Sequence, residues 1–116
     1  MSGQMRDLTM KMPPRPDRIP GRFVTALLEL GRHHNAAILR ELADGSRRYN
    51  ELLATLPDIP EPVIGASLRE LDGDGLVRRR VDPGPPLRVL YELTELGLDL
   101  APSLGAIEAW ARRTKV

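Results

Sequence analysis

Apolar residues recur along this chain at two spacings, and the switch between them divides it. Phe23, Val24, Leu27 and Leu28 fall at helical intervals and predict a first helix, closed by Gly31. Ile38, Leu39 and Leu42 predict a second, with Asn35 as its cap and Gly45 past its end. Leu52, Leu53 and Leu56 predict a third over 49–55, stopped by the turn residues Pro57 and Asp58. Val63, Ile64, Leu68 and Leu71 make the inner stripe of a fourth over about 60–72, with Gly73 and Gly75 at its end. The period then drops to two. Val77, Arg79 and Val81 share one face of a strand and Arg78 and Arg80 the other, while Val89, Tyr91 and Leu93 share a face of its return strand. The Pro-Gly-Pro-Pro tip at 83–86 joins the two, and residues 46–48 are expected to add a short third strand. Thr94 is a good N-cap for a last helix, with Glu95 in its first turn to meet the helix dipole. That helix carries Leu96, Leu100, Leu104, Ile107 and Ala111 on one stripe and is expected to kink at Pro102.

Helix, tight turn, helix and then a basic two-stranded ribbon is the order of a winged helix-turn-helix. The second helix of such a unit enters a DNA groove and the ribbon grips the backbone beside it. The expected fold is therefore α+β, mainly α, with added helices at both ends. The stripes of those terminal helices exceed what a small central core can bury, so they predict a homodimer on an inverted repeat, with half-sites about one helical turn apart.

Composition sharpens this. The chain has 116 residues, which suits one core; hydrophobic residues are 41% and charged residues 28%. It carries one Phe, one Trp and two Tyr, so Leu, Val, Ile and Ala must build the interior. No apolar run approaches the ~20 residues of a membrane span, and the N-terminus has no hydrophobic signal region, so a cytoplasmic location is expected. The absence of Cys removes disulfides, thiol catalysis and thiolate metal sites. Net charge is only +1, but it is unevenly spread. Arg78, Arg79, Arg80 and Arg88 stand against Asp82 in the ribbon. The segment 61–74 has Arg69 against Glu61, Glu70, Asp72 and Asp74. Residues 1–19, with Pro13, Pro14, Pro16 and several cations, read as a flexible basic arm preceding one domain over 20–116.

Several of these motifs also carry a resemblance. Ile-Leu-Arg-Glu-Leu at 38–42, the Gly-to-Leu stretch at 45–52 with Tyr49, and Leu-Arg-Glu-Leu leading to Gly-Leu-Val at 68–77 follow in order. Pro86, Arg88, Val89, Tyr91, Leu93, Thr94 and Gly97 come next, then a helix ending near Trp110. From Leu30 to Trp110 the chain resembles the HxlR-type winged helix-turn-helix transcriptional regulators of bacteria. The resemblance implies a sequence-specific DNA-binding regulator. Many relatives sense oxidants or electrophiles through a Cys near the first helix, which this chain lacks, so control by a non-covalent small-molecule effector is expected instead. In the family the His34 position is usually Trp. Losing that bulk is expected to open a cavity near Leu27, Leu30, His34 and Trp110. The simpler expectation for Trp110 is an anchor that packs the last helix down.

Candidate DNA contacts divide by role. Arg78, Arg80 and Arg88 in the ribbon, and Arg47 and Arg48 before the third helix, are expected on phosphates. On the presumed recognition helix the outward positions are Glu61, Pro62, Gly65, Ala66, Ser67 and Arg69. Ser67 and Arg69 are the expected base readers, and Glu61 is a possible acceptor from cytosine. Gly65 costs this helix ~1 kcal/mol relative to Ala. These residues are an unusual reading surface, so a protein-interaction or ligand-binding module with little DNA affinity is the competing reading. His33 and His34 are adjacent, and side chains ~100° apart on a helix do not converge on one metal. Neither a cofactor nor an enzymatic constellation is expected.

Overall fold

The computed structural model describes residues 21–115. Among them run α1 (Gly21–Gly31), α2 (Asn35–Leu42), β1 (Arg47–Arg48), α3 (Tyr49–Thr55), α4 (Glu61–Gly73), β2 (Val77–Asp82), β3 (Arg88–Leu93) and α5 (Glu95–Ala111). The arm expected over 1–19 lies outside the described residues. No helix among those described is long and apolar enough to cross a membrane.

The core forms where the helical stripes converge. Ile38, Leu39 and Leu42 of α2 meet Leu52 of α3 and Ile64, Leu68 and Leu71 of α4, and Val77, Leu93 and Leu104 close it from the ribbon and α5. Each such side chain contributes ~1.5–3 kcal/mol through burial. Ile59 plugs the turn between α3 and α4 and hydrogen-bonds back to the Leu56 carbonyl at 3.1 Å. The sheet has the order β1-β3-β2 with antiparallel pairs throughout, so the expected third strand at 46–48 is present as β1. The hairpin register runs from Val77 opposite Leu93 to Asp82 opposite Arg88.

Thr94 caps α5 as expected, its hydroxyl accepting from the Gly97 N–H at 3.2 Å. The same hydroxyl donates to the Gly75 carbonyl at 2.6 Å. This fastens the start of α5 to the turn that joins the recognition helix to the ribbon.

Three expectations are corrected here. Asn35 does not cap α2; it is its first residue, and its buried side chain donates to the Glu29 carbonyl at 3.1 Å and to Glu70 Oε1 at 2.8 Å. His33 and His34 lie in the turn between α1 and α2 rather than on a helix, with His33 at φ +51°. Trp110 is no anchor: it is 57% exposed, because the buried face of α5 passes through Leu104 instead. Leu96 and Ile107 are exposed beside it, as are Phe23, Val24, Leu27 and Leu28 on α1, a helix that buries none of its residues.

Candidate nucleic-acid interface

The helix-turn-helix is α3, the turn around Ile59, and α4. Its exposed side holds Glu61 and Pro62 in the first turn of α4 and Arg69 two turns on. Ser67, expected to read bases, is not on that side. It is fully buried, and its hydroxyl has no hydrogen-bond partner among the described residues. The cause is the helical period itself: Ser67 lies three residues after Ile64 and four before Leu71, inside the stripe that faces α2. The back of α4 is held by Glu70, which accepts from Arg32 at 2.8 Å and from Asn35 at 2.8 Å. The hydrogen bonds from Asn35 and then Arg32 hold this carboxyl below the usual carboxylate range. Its charge therefore persists at neutral pH and ties the α1–α2 turn to the recognition helix.

Strand register sorts the ribbon arginines onto two faces. Residues paired across strands share a face, so Arg47, Tyr91 and Arg79 form one row, and Arg48, Leu90 and Arg80 a neighbouring row on the opposite face. Arg78 lies opposite Glu92, again on the second face. There Glu92 forks two cations: Arg78 Nε donates to it at 2.6 Å and Arg80 Nε at 2.9 Å. These two bonds, Arg78 first, hold the Glu92 carboxyl below its ordinary range. Arg78 and Arg80, expected on phosphates, are thus both engaged by Glu92 in the free protein. A charge count over 76–90 stops two residues short of the acid that occupies both.

Arg79 is different. It is exposed, shares the row of Tyr91 on the core-side face of the ribbon, and makes no ion pair or side-chain hydrogen bond among the described residues. The side chains of Arg48, Arg69 and Arg88 likewise have no ion-pair partner among the described residues. Arg47 is engaged, with Nε 3.7 Å from Glu41 and a guanidinium N–H donating to the Ser46 carbonyl at 3.0 Å. Arg48 starts α3, where its backbone N–H donates to Glu51 at 2.7 Å. The sequence reading passed over Arg79 because the alternation alone assigned it to the face of Val77 and Val81, which reads as interior. The ribbon outruns the core, and past Val77 that face opens toward α4.

Between α4 and the ribbon lies a cleft of about 310 Å³ lined by Tyr49, Gly65, Leu68, Arg69 and Tyr91. The two tyrosine rings stand 6.5 Å apart, tilted by 52°. A second, largely apolar groove of about 380 Å³ runs between α1, α5 and the α4–β2 turn. It is lined by Ala26, Glu29, Leu30, Leu76, Leu96, Asp99 and Leu100. Of the four residues expected around an effector cavity, Leu30 alone lines it; Leu27, His34 and Trp110 do not.

A helix-turn-helix with an antiparallel wing at its C-terminal side defines a winged-helix DNA-binding protein. Residues 29–115 match the family model described as HxlR-like helix-turn-helix, and the chain belongs to that family. It is 41% identical over 90 residues to the uncharacterized HTH-type transcriptional regulator YvaP of Bacillus subtilis (strain 168), covering 78% of this chain and 83% of that one. The reduced form of the regulator YodB from B. subtilis superposes with a TM-score of 0.75 at 32% identity, covering 84% of this chain and 96% of YodB. The quinone-bound YodB structure gives 0.69 at 30% identity, covering 82% of this chain and 100% of that one. This protein is a DNA-binding transcriptional regulator.

Proposed function

We propose that the protein acts in the cytoplasm as a homodimer that binds an inverted repeat in double-stranded DNA. On this reading, Glu61 and the exposed first turns of α4 face the major groove, and Arg48, Arg69, Arg79 and Arg88 contact phosphates. The observation that carries this reading is that Arg48, Arg69, Arg79 and Arg88 have no ion-pair partner among the described residues, whereas Arg78 and Arg80 share Glu92. Residues 1–19 serve as a basic arm that adds charge, and residues 20–116 as the domain. The exposed apolar residues of α1 and α5 form the dimer face. With no Cys in the chain, effector control is non-covalent. A quinone-bound form of YodB exists, which supports a small-molecule signal as the class of control. The groove beside Leu30, Leu76 and Leu100 supplies apolar room for one.

Titration of the full chain against the DNA upstream of its own gene, and against random duplex, tests this. The expected result is two protomers per site, a steep fall of affinity with salt, and a specific site ~10³-fold or more tighter than random DNA. Equal and weak binding to both duplexes at low salt would instead favour the interaction-module reading.

A further inference from the structure

Gly65 sits in the middle of α4, where a glycine weakens a helix. It is only partly buried, and an added Cβ would meet no backbone. Its nearest neighbours would be an Arg69 guanidinium nitrogen and the Tyr49 hydroxyl, each at 3.6 Å. Packing therefore does not require glycine here. What the missing side chain does is leave the floor of the 310 Å³ cleft open between a cation and a hydroxyl.

We propose that this cleft is a binding site for one DNA backbone phosphate, with Arg69 as its charged donor, Tyr49 as its neutral donor, and Gly65 as the gap that admits it. The proposal rests on the DNA-binding reading and assigns Arg69 a different task from base readout. Three further observations support it. Arg69 has no ion-pair partner among the described residues, so its charge is uncommitted. Among the described residues the Tyr49 hydroxyl makes only a long contact of 3.5 Å to the Glu61 carbonyl, which a better acceptor would replace. Burial pushes the Tyr49 phenol up from its ordinary value, so it remains an O–H donor at neutral pH. Arg79 does not line the cleft but pairs with Tyr91, which does, and has no ion-pair partner among the described residues, so it adds a second cation on that face of the ribbon. A phosphate so held would lie where the backbone passes from recognition helix to wing, which fixes the reader's register without reading sequence.

The test is binding of a random-sequence duplex by the full chain, at several salt concentrations, with melting curves in parallel. Gly65→Ala should melt at the same or a higher temperature yet bind about 5–10-fold more weakly. Tyr49→Phe should bind a few-fold more weakly with an unchanged salt slope, because a neutral donor is lost. Arg69→Gln should lower the salt slope by about one, the signature of one lost phosphate contact. Parental binding by both Gly65→Ala and Tyr49→Phe would overturn the proposal. So would an Arg69→Gln variant that keeps the slope on random DNA and loses only sequence preference. If the parent itself binds no duplex, the DNA-binding reading fails, and the phosphate site with it.

Discussion

Gly97→Ala is expected to destabilise the domain by about 2 kcal/mol, a typical cost of overpacking a closed site. For a domain of this size that is a fall in melting temperature of roughly 10 °C. Gly97 is buried in the first turn of α5. A Cβ there would run into the Leu76 carbonyl oxygen and press on the Leu93 side chain at 3.2 Å. The Leu76 carbonyl cannot easily withdraw, since it accepts the Thr94 N–H at 3.0 Å. Relief requires α5 to lift from the ribbon, which also strains the Thr94 bond to Gly75. Gly105→Ala is the control: nothing lies within 4 Å of its added Cβ, so it should be neutral or gain up to ~1 kcal/mol of helix propensity. Thermal melts of both variants decide the point. Equal stability of Gly97→Ala and the parent would mean that α5 is not fastened at this contact.

The larger functional effect is expected from the dimer face. Ile107→Asp with Trp110→Asp should give a folded monomer that binds its operator about a hundredfold or more weakly, since two linked readers gain ~10²–10⁴ from tethering. Both residues are about half exposed in the single chain, so the substitutions open no cavity in the core. Leu96, Leu100, Ser103, Ile107 and Trp110 follow one another at alternating intervals of four and three residues. This is the spacing of a helix that packs on another helix. Burying an Ile or Trp in such a seam yields ~1.5–3 kcal/mol each, and an aspartate there would have to be desolvated as well. Sedimentation and circular dichroism together read the outcome. A variant that stays dimeric, with parental DNA affinity, would place the interface elsewhere.

Much of the fold is legible in the sequence because local and long-range signals agree. The stripe Ile38, Leu39 and Leu42, the Thr94 cap and the two-residue alternation of the ribbon each identify their element without knowledge of its neighbours. The site is legible only in part, since it depends on what comes together across elements. Arg78 and Arg80 look like a free basic patch until strand register brings Glu92 beside them. Trp110 was ambiguous for a different reason. A stripe drawn through Leu104 and Ala111, and one drawn through Ser103 and Trp110, fit the same helical period; only the position of the core under Leu104 separates them. Ser67 is the one miss the sequence alone would have prevented, because the spacing that puts Ile64 and Leu71 inside puts Ser67 there too. His34 stands apart from the groove that Leu30 lines, because it lies in an exposed turn and not on a packed helix.

The central claim is that Arg79 of the wing meets a DNA phosphate, and that Arg78 and Arg80, which Glu92 holds, do not. A charge-matched comparison tests it. Arg79→Gln removes one positive charge. The combined Arg78→Gln, Arg80→Gln and Glu92→Gln variant also removes one net positive charge, but takes away the whole ion-paired cluster. Both are titrated with the same duplex at the same series of salt concentrations. The expected result is a salt slope lower by about one for Arg79→Gln, with affinity reduced on all sequences alike, and a slope near the parent's for the cluster variant. Parental binding by Arg79→Gln, with the slope lost by the cluster variant, would contradict the account and give the phosphate contact to Arg78 and Arg80.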